Sequence, residues 1–211
     1  NKEHWYDIDP TVWIDDDGQA YMYWGNPHTY CVKLNEDMIS TSGEIMTMDR
    51  IEDYQEGPWF WSRKNAKGEK WYYLAFASTC CPEGIGYAMS KSPTGPWEHK
   101  GHIMDHTPQT RGNHPGIIEF KGKSYCFGLN YDIFRLESSR HAERRSVSAA
   151  EMTYNADGTI QELPYFLDAK LNQVGTFDPF RRVEAETMAW GYGLKTTRQN
   201  PSGPWNPTLF V

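Results

Sequence analysis

The stretch PTVWIDDDGQAYMYWG, residues 10–25, decides the fold. Its first limb, Thr11 to Ile14, is β-branched and aromatic; Asp16-Asp17-Gly18 supplies turn chemistry; Tyr21 and Tyr23 then alternate on the return limb. β-formers on both sides of an Asp-Gly turn spell a hairpin. Residues 57–78 repeat the plan, with Trp59-Phe60-Trp61, a polar turn around Lys67-Gly68 and a return from Trp71 to Phe76. Residues 114–130 repeat it again, with Ile117 to Phe120, a turn at Lys121-Gly122 and a return from Tyr125 to Leu129. Only short segments such as 148–153 have any helical look. The chain reads as all-β.

Composition limits what such a chain does. Its 211 residues carry a formal charge of −7, 38% are hydrophobic, and mean hydropathy is −0.74. With glycine added, that apolar share is ordinary for a globular domain, which excludes disorder and a fibrous chain. No run approaches the ~18 apolar residues of a membrane-spanning helix, so no membrane partner is expected. The acidity and the lack of a Lys/Arg-rich run argue against nucleic acid as a partner. Aromatic residues make up 15% of the chain. Most suit a β core, yet flat rings also stack on sugars. Cys31, Cys80, Cys81 and Cys126 form no CxxC and no disulfide framework, and they read as free thiols. The chain opens on Asn1 rather than Met, so it reads as processed or as a piece of something longer.

The hairpins begin alike: Asp9-Pro-Thr-Val12, Glu56-Gly-Pro-Trp59 and His114-Pro-Gly-Ile117. The starts stand 47 and 58 residues apart, near the roughly 40–50 residues of a propeller blade. Innermost blade strands line a common axis, so this repeat predicts that Asp9, Glu56 and His114 share one pocket. Arg144-Arg145-Ser146-Val147 offers a fourth such start at a shorter interval. After Asp178-Pro179 the pattern changes, and a fresh strand begins in what reads as an unfinished domain.

DIDPTVWIDDDGQAYMYWG (7–25), EGPWFW (56–61), STCCPEGIGYAMSKSPTGPW (78–97), NHPGI (113–117) and RRSVSAAEMTYNADGTI (144–160) together resemble glycoside hydrolase family 43. These are five-bladed propellers that include arabinofuranosidases, β-xylosidases and arabinanases. The tail RVEAETMAWGYGLKTT (182–197) resembles the opening of a family 6 carbohydrate-binding module. The resemblance implies a partial catalytic propeller over 1–176, holding blades two to five. A linker and the first part of a jelly-roll β-sandwich would occupy 177–211.

By the same resemblance Glu56 is the general acid, and Asp9 is the carboxylate that raises its pKa and orients it. The general base falls in a first blade ahead of Asn1, so a complementary piece of chain is expected to supply it. Such a protein inverts configuration, one carboxyl protonating the leaving oxygen and another activating water roughly 6.5–9.5 Å away. The implied activity is release of arabinofuranose, or of xylose, from arabinoxylan- or arabinan-type plant polysaccharide, in xylan degradation by a secreted or periplasmic enzyme.

Other residues keep two readings. Trp59 and Phe60 follow the acid and form either a wall of the sugar subsite or plain core. His114 is a core histidine or a site residue which, in relatives with calcium on the axis, holds the ion mostly through water. Arg144 and Arg145 are surface charges, or one of them reaches the sugar or Asp9. Glu184 and Glu186 are solvent-facing, or they hold a structural calcium of the binding module. No organic cofactor is implied. Two rival classes remain: a non-catalytic carbohydrate-binding propeller, and a retaining five-bladed relative acting on fructans.

Overall fold

The computed structural model describes residues 5–79, 82–108, 110, 112–131, 145–166, 168, 169, 171, 180, 195–198 and 207–210. A short 3-10 turn at Trp5–Asp7 precedes the first sheet. That sheet is a meander of β1 (Thr11–Ile14), β2 (Ala20–Trp24), β3 (Tyr30–Leu34) and β4 (Thr41–Thr47). The second repeats it with β5 (Tyr54–Lys64), β6 (Lys70–Ser78), β7 (Ile85–Ser90) and β8 (Glu98–Met104). The third has β9 (Gly116–Phe120), β10 (Lys123–Asn130) and β11 (Ser146–Met152). A separate hairpin pairs β12 (Lys195–Arg198) with β13 (Pro207–Phe210). Every strand pair in these sheets is antiparallel.

The three sequence hairpins are β1–β2, β5–β6 and β9–β10, and each opens its sheet. The fourth start does not. Residues after Arg145 form β11, the third strand of the third sheet, in register with β10 from Ser124↔Met152 to Asn130↔Ser146. The short interval has a plain cause: it holds one hairpin and a connection, too little for a new blade.

The second sheet is the middle layer, and strand period explains why. Side chains alternate faces along a strand. On β5, Phe60 turns to the first sheet, where it stacks on Tyr23 with centroids 4.2 Å apart and planes 8° apart. Tyr72, Leu74, Phe76 and Ala88 share that cluster with Tyr21 and Cys31. Trp59 and Trp61 turn the other way, toward Ile117, Cys126, Ala150 and Met152 of the third sheet, beside Tyr73, Ile85 and Tyr87. Burying side chains of this size contributes roughly 1.5–3 kcal/mol each. Polar groups clasp the first two sheets as well: the Tyr72 hydroxyl donates to Asp15 Oδ2 at 2.8 Å, and Lys70 bonds both Asp15 and Asp16.

Burial pushes the Cys31 and Cys126 thiols up to about 12, which fits inert core cysteines. Cys80 and Cys81 lie outside the described residues.

Candidate active site

Three strand entrances converge on one side of the sheets. Asp9 precedes β1, Glu56 lies at the start of β5, and His114 precedes β9. His114 Nε2 stands 3.3 Å from Glu56 Oε1, and His114 Nδ1 stands 3.9 Å from Asp9 Oδ2. Their donor atoms all lie within 4.8 Å of one another. The side chains remain 20–30% exposed, so the cluster opens to solvent.

Local backbone explains the aim of each group. Gly57 has φ +63°, and β5 carries an extra residue relative to β6 between Glu56 and Trp59. That bulge at Gly57-Pro58 turns Glu56 inward. A Cβ on Gly57 would meet His114 Nδ1 at 2.6 Å, so only glycine lets the ring approach. The Gly57 N–H faces the Asp9 carboxylate and favours its charged form. Asp9 itself sits at φ +56°, a left-handed conformation that Asp tolerates better than most residues.

A second layer is absent from the sequence reading. Asn26 Nδ2 donates to Glu56 Oε2 at 2.6 Å, and Gln55 Nε2 donates to Asn26 Oδ1 at 3.1 Å. The Tyr54 hydroxyl donates to the Gly25 carbonyl at 2.7 Å, and the Gly25 N–H donates to the Ile8 carbonyl at 3.0 Å. These bonds moor the Asp9 and Glu56 segments to one corner. Gly25-Asn26-Pro27 reads in sequence as turn chemistry, which conceals the amide that holds Glu56.

The electrostatics reverse one expectation. Glu56 is held below its ordinary value, first by the His114 hydrogen bond, then by the His114 charge, Asn26 and Arg145, all against burial. Asp9 is the raised carboxyl, chiefly through burial and further through the Glu56 charge, while His114, Gly57 and Arg145 oppose the rise. Asp9 Oδ2 is buried without a hydrogen-bond partner among the described residues. Asp9 therefore does not lift Glu56 out of the carboxylate range in this state. The hydrogen bonds and positive charges around Glu56 outweigh its burial.

Phe60 is core, 4% exposed among Trp13, Tyr23, Tyr72 and Trp97, so it forms no sugar wall. Trp59 is partly buried, and its indole N–H donates to the Ile117 carbonyl at 3.0 Å, tying β5 to β9. Of the two arginines, Arg145 sends its charge to Asp9 and Glu56. Arg144, Glu184 and Glu186 lie outside the described residues. The donor set of Asp9, Glu56 and His114 is two carboxylates and an imidazole, whereas calcium takes 6–8 oxygens. As direct ligands the three offer calcium two carboxylates and no oxygen from the ring, so the remaining oxygens would come from water or sugar hydroxyls.

Residues 1–160 match the model of the glycosyl hydrolases family 43. The chain belongs to that family. It is 30% identical over 221 residues to an arabinoxylan arabinofuranohydrolase of Paenibacillus polymyxa, covering 93% of this chain and 34% of the relative. To an enzyme of the same name from Bacillus subtilis it is 30% identical over 231 residues, covering 94% of this chain and 43% of the relative. The chain thus spans less than half the length of either. Among solved structures it is similar to an α-L-arabinofuranosidase from Clostridium thermocellum, with TM-score 0.59, 35% identity, and coverage of 73% of this chain and 51% of that one. The meander sheets are those of the family 43 propeller.

Proposed function

We propose that this family 43 chain contributes the acid side of an inverting glycoside hydrolase that releases arabinofuranose from arabinoxylan-type plant polysaccharide. One observation carries the reading: two carboxylates and an imidazole from three separate strand entrances meet in an open cluster. Glu56 protonates the leaving oxygen, and Asp9 orients the sugar and the acid. The water-activating carboxylate is assigned to no residue of this chain. An enzyme acting on cell-wall polymer would meet its substrate outside the cytoplasm, secreted or periplasmic.

The acid role requires Glu56 to change state on binding. In the free site its two donors favour the carboxylate. Sugar hydroxyls that compete for His114 and displace water move Glu56 upward, because desolvation disfavours charge. Catalytic hydrogen bonds often assemble only with substrate present.

Release of xylose is the second reading, supported by family relatives that carry xylosidase names. The test is Glu56→Gln in the protein that contains this chain. Loss of general acid help, roughly 10²–10⁴-fold, should fall on arabinoxylan oligosaccharides and largely spare aryl arabinofuranosides with activated leaving groups. Equal losses on both substrates would remove Glu56 from the acid role. Aryl xylosides, compared in parallel, decide between the two sugars.

A further inference from the structure

On the side of the sheets away from Glu56 lies a groove of about 470 Å³, between the end of β5 and the turn that follows β11. Seven residues of strand at roughly 3.3 Å each separate Arg63 from Glu56, so the groove lies about 20 Å from the candidate active site. Its volume falls within the roughly 300–1,000 Å³ of small-ligand clefts.

Arg63 dominates this groove. Its guanidinium carbon stands 3.6 Å from the centroid of the Tyr154 ring. Tyr154 is itself fixed, its hydroxyl accepting from Trp61 Nε1 at 3.1 Å and its ring meeting Tyr73 edge-on at 5.8 Å. A stacked guanidinium uses its face and leaves its in-plane N–H donors free. Among the described residues the Arg63 side chain makes no hydrogen bond and no ion pair. The nearby acids are engaged elsewhere. Glu151 takes both oxygens to Lys123, Glu119 accepts from Ser124, Glu69 accepts from Asn65, and Asp157 accepts from Thr159. The groove therefore presents a pre-oriented, uncompensated fork on a protein whose net charge is −7.

We propose that this groove is a second carbohydrate site, in which Arg63 takes the carboxylate of a uronic acid residue borne by the polysaccharide. A guanidinium pairs a carboxylate through two parallel N–H···O bonds, the geometry that one planar fork satisfies. On the same wall Thr153 and Asn155 are held by bonds to Gln161 and Thr159, which fixes the polar face that a sugar would meet. Lys64 lines the groove beside Arg63 and adds to its positive charge. The choice of a sugar acid over an acidic peptide rests on the polysaccharide reading of Proposed function. The site holds a decorated chain some 20 Å from the bond being cut, so it adds affinity without touching the chemistry.

The test is titration of the whole protein with a xylo-oligosaccharide bearing one glucuronate, the same oligosaccharide without it, and a glutamate-rich peptide. Binding is read from amide NMR shifts and calorimetry. The acidic oligosaccharide should perturb residues 63–66 and 151–156, bind more tightly than its neutral counterpart, and weaken with added salt. Arg63→Gln should lower that affinity about tenfold or more, since hydrogen bonds to charged groups are the strong ones. Arg63→Lys, which keeps charge but loses the fork, should recover only part. Unchanged backbone spectra show that both variants fold. Equal affinity for both oligosaccharides, or loss of binding only in Glu56→Gln, would overturn the proposal. So would equal binding of the peptide. Hydrolysis is measured separately. Uronate binding without hydrolysis sinks only the enzymatic reading, and hydrolysis without uronate binding sinks only the groove.

Discussion

Gly57 and His114 are in contact so close that a side chain at position 57 has nowhere to go: its Cβ would stand 2.6 Å from Nδ1 and 2.9 Å from Cγ of the ring. The neighbouring backbone adds a demand of its own, with φ +63° at Gly57. Glycine here serves the acid, because the ring it admits is the one that bonds Glu56.

Gly57→Ala should therefore displace the imidazole from Glu56. The left-handed backbone alone costs roughly 1–2 kcal/mol for a non-glycine residue, and the ring must move besides. The expected outcome is a lower thermal midpoint together with an upward move of the Glu56 titration, read from ¹³C-labelled carboxyl shifts. A destabilised protein with an unmoved Glu56 titration would show that the ring keeps its place.

Asn26→Ala removes the donor on Glu56 Oε2, so Glu56 should titrate at higher pH than in the parent. Asn26→Asp replaces that donor with a like charge and should raise it further. The order parent, Ala, Asp is the prediction. The same NMR titration reads it, and any other order contradicts the role of Asn26.

For Asp9 the sign runs through stability. Its carboxyl is raised in the folded chain, chiefly by burial. A raised acid means the native state binds the proton more tightly than the unfolded one, so Asp9 costs stability at neutral pH. That cost fades as pH falls through the folded value. Asp9→Asn should raise the thermal midpoint at pH 7, and the gain should shrink toward pH 4. Asn also tolerates φ +56° and keeps an oxygen for the Gly57 N–H. The substitution removes a like charge facing Glu56, so the Glu56 titration should move down. A stabilisation independent of pH would point to backbone preference instead.

Phe60→Ala opens the sheet interface rather than the site. Removing a buried phenylalanine typically costs 3–5 kcal/mol (about that range), and the stacked Tyr23 loses its partner. Denaturant unfolding should show a loss of that size. A loss under about 1 kcal/mol would place Phe60 outside the core, well below what cavity formation costs.

How far the sequence could be read follows from what sets each feature. Turn residues and strand alternation are local, so Asp16-Asp17-Gly18, Lys67-Gly68 and Lys121-Gly122 name three hairpins that the structure contains. The convergence of Asp9, Glu56 and His114 was legible because equivalent starts of repeated units meet at a common axis. Arg144 misled because a matching offset carries no information on which strand of a sheet it opens. Phe60 was ambiguous since periodicity tells that two faces exist, not which one a neighbouring sheet covers. Asn26 was invisible, because its bond to Glu56 spans 30 positions and its own sequence context spells a turn. The direction of the Glu56 shift depended on counting donors, and one of them was that hidden amide.

The extra residue in β5 at Gly57-Pro58 puts the two halves of that strand out of phase. Downstream, the alternation is locked twice over, Phe60 to one neighbouring sheet and Trp59 and Trp61 to the other. Upstream, a second extra residue lies between Tyr54 and Glu56, and the chain is held by the Tyr54 ring packed on Phe76 and by the corner around Gly25 and Asn26. Dropping a single residue at the bulge would leave Trp59, Phe60 and Trp61 in register but rotate Glu56 to the opposite face and pull Tyr54 off Phe76. The aim of the acid is thus tied to the core through Tyr54, two residues away, so a slip that misdirects Glu56 also costs packing.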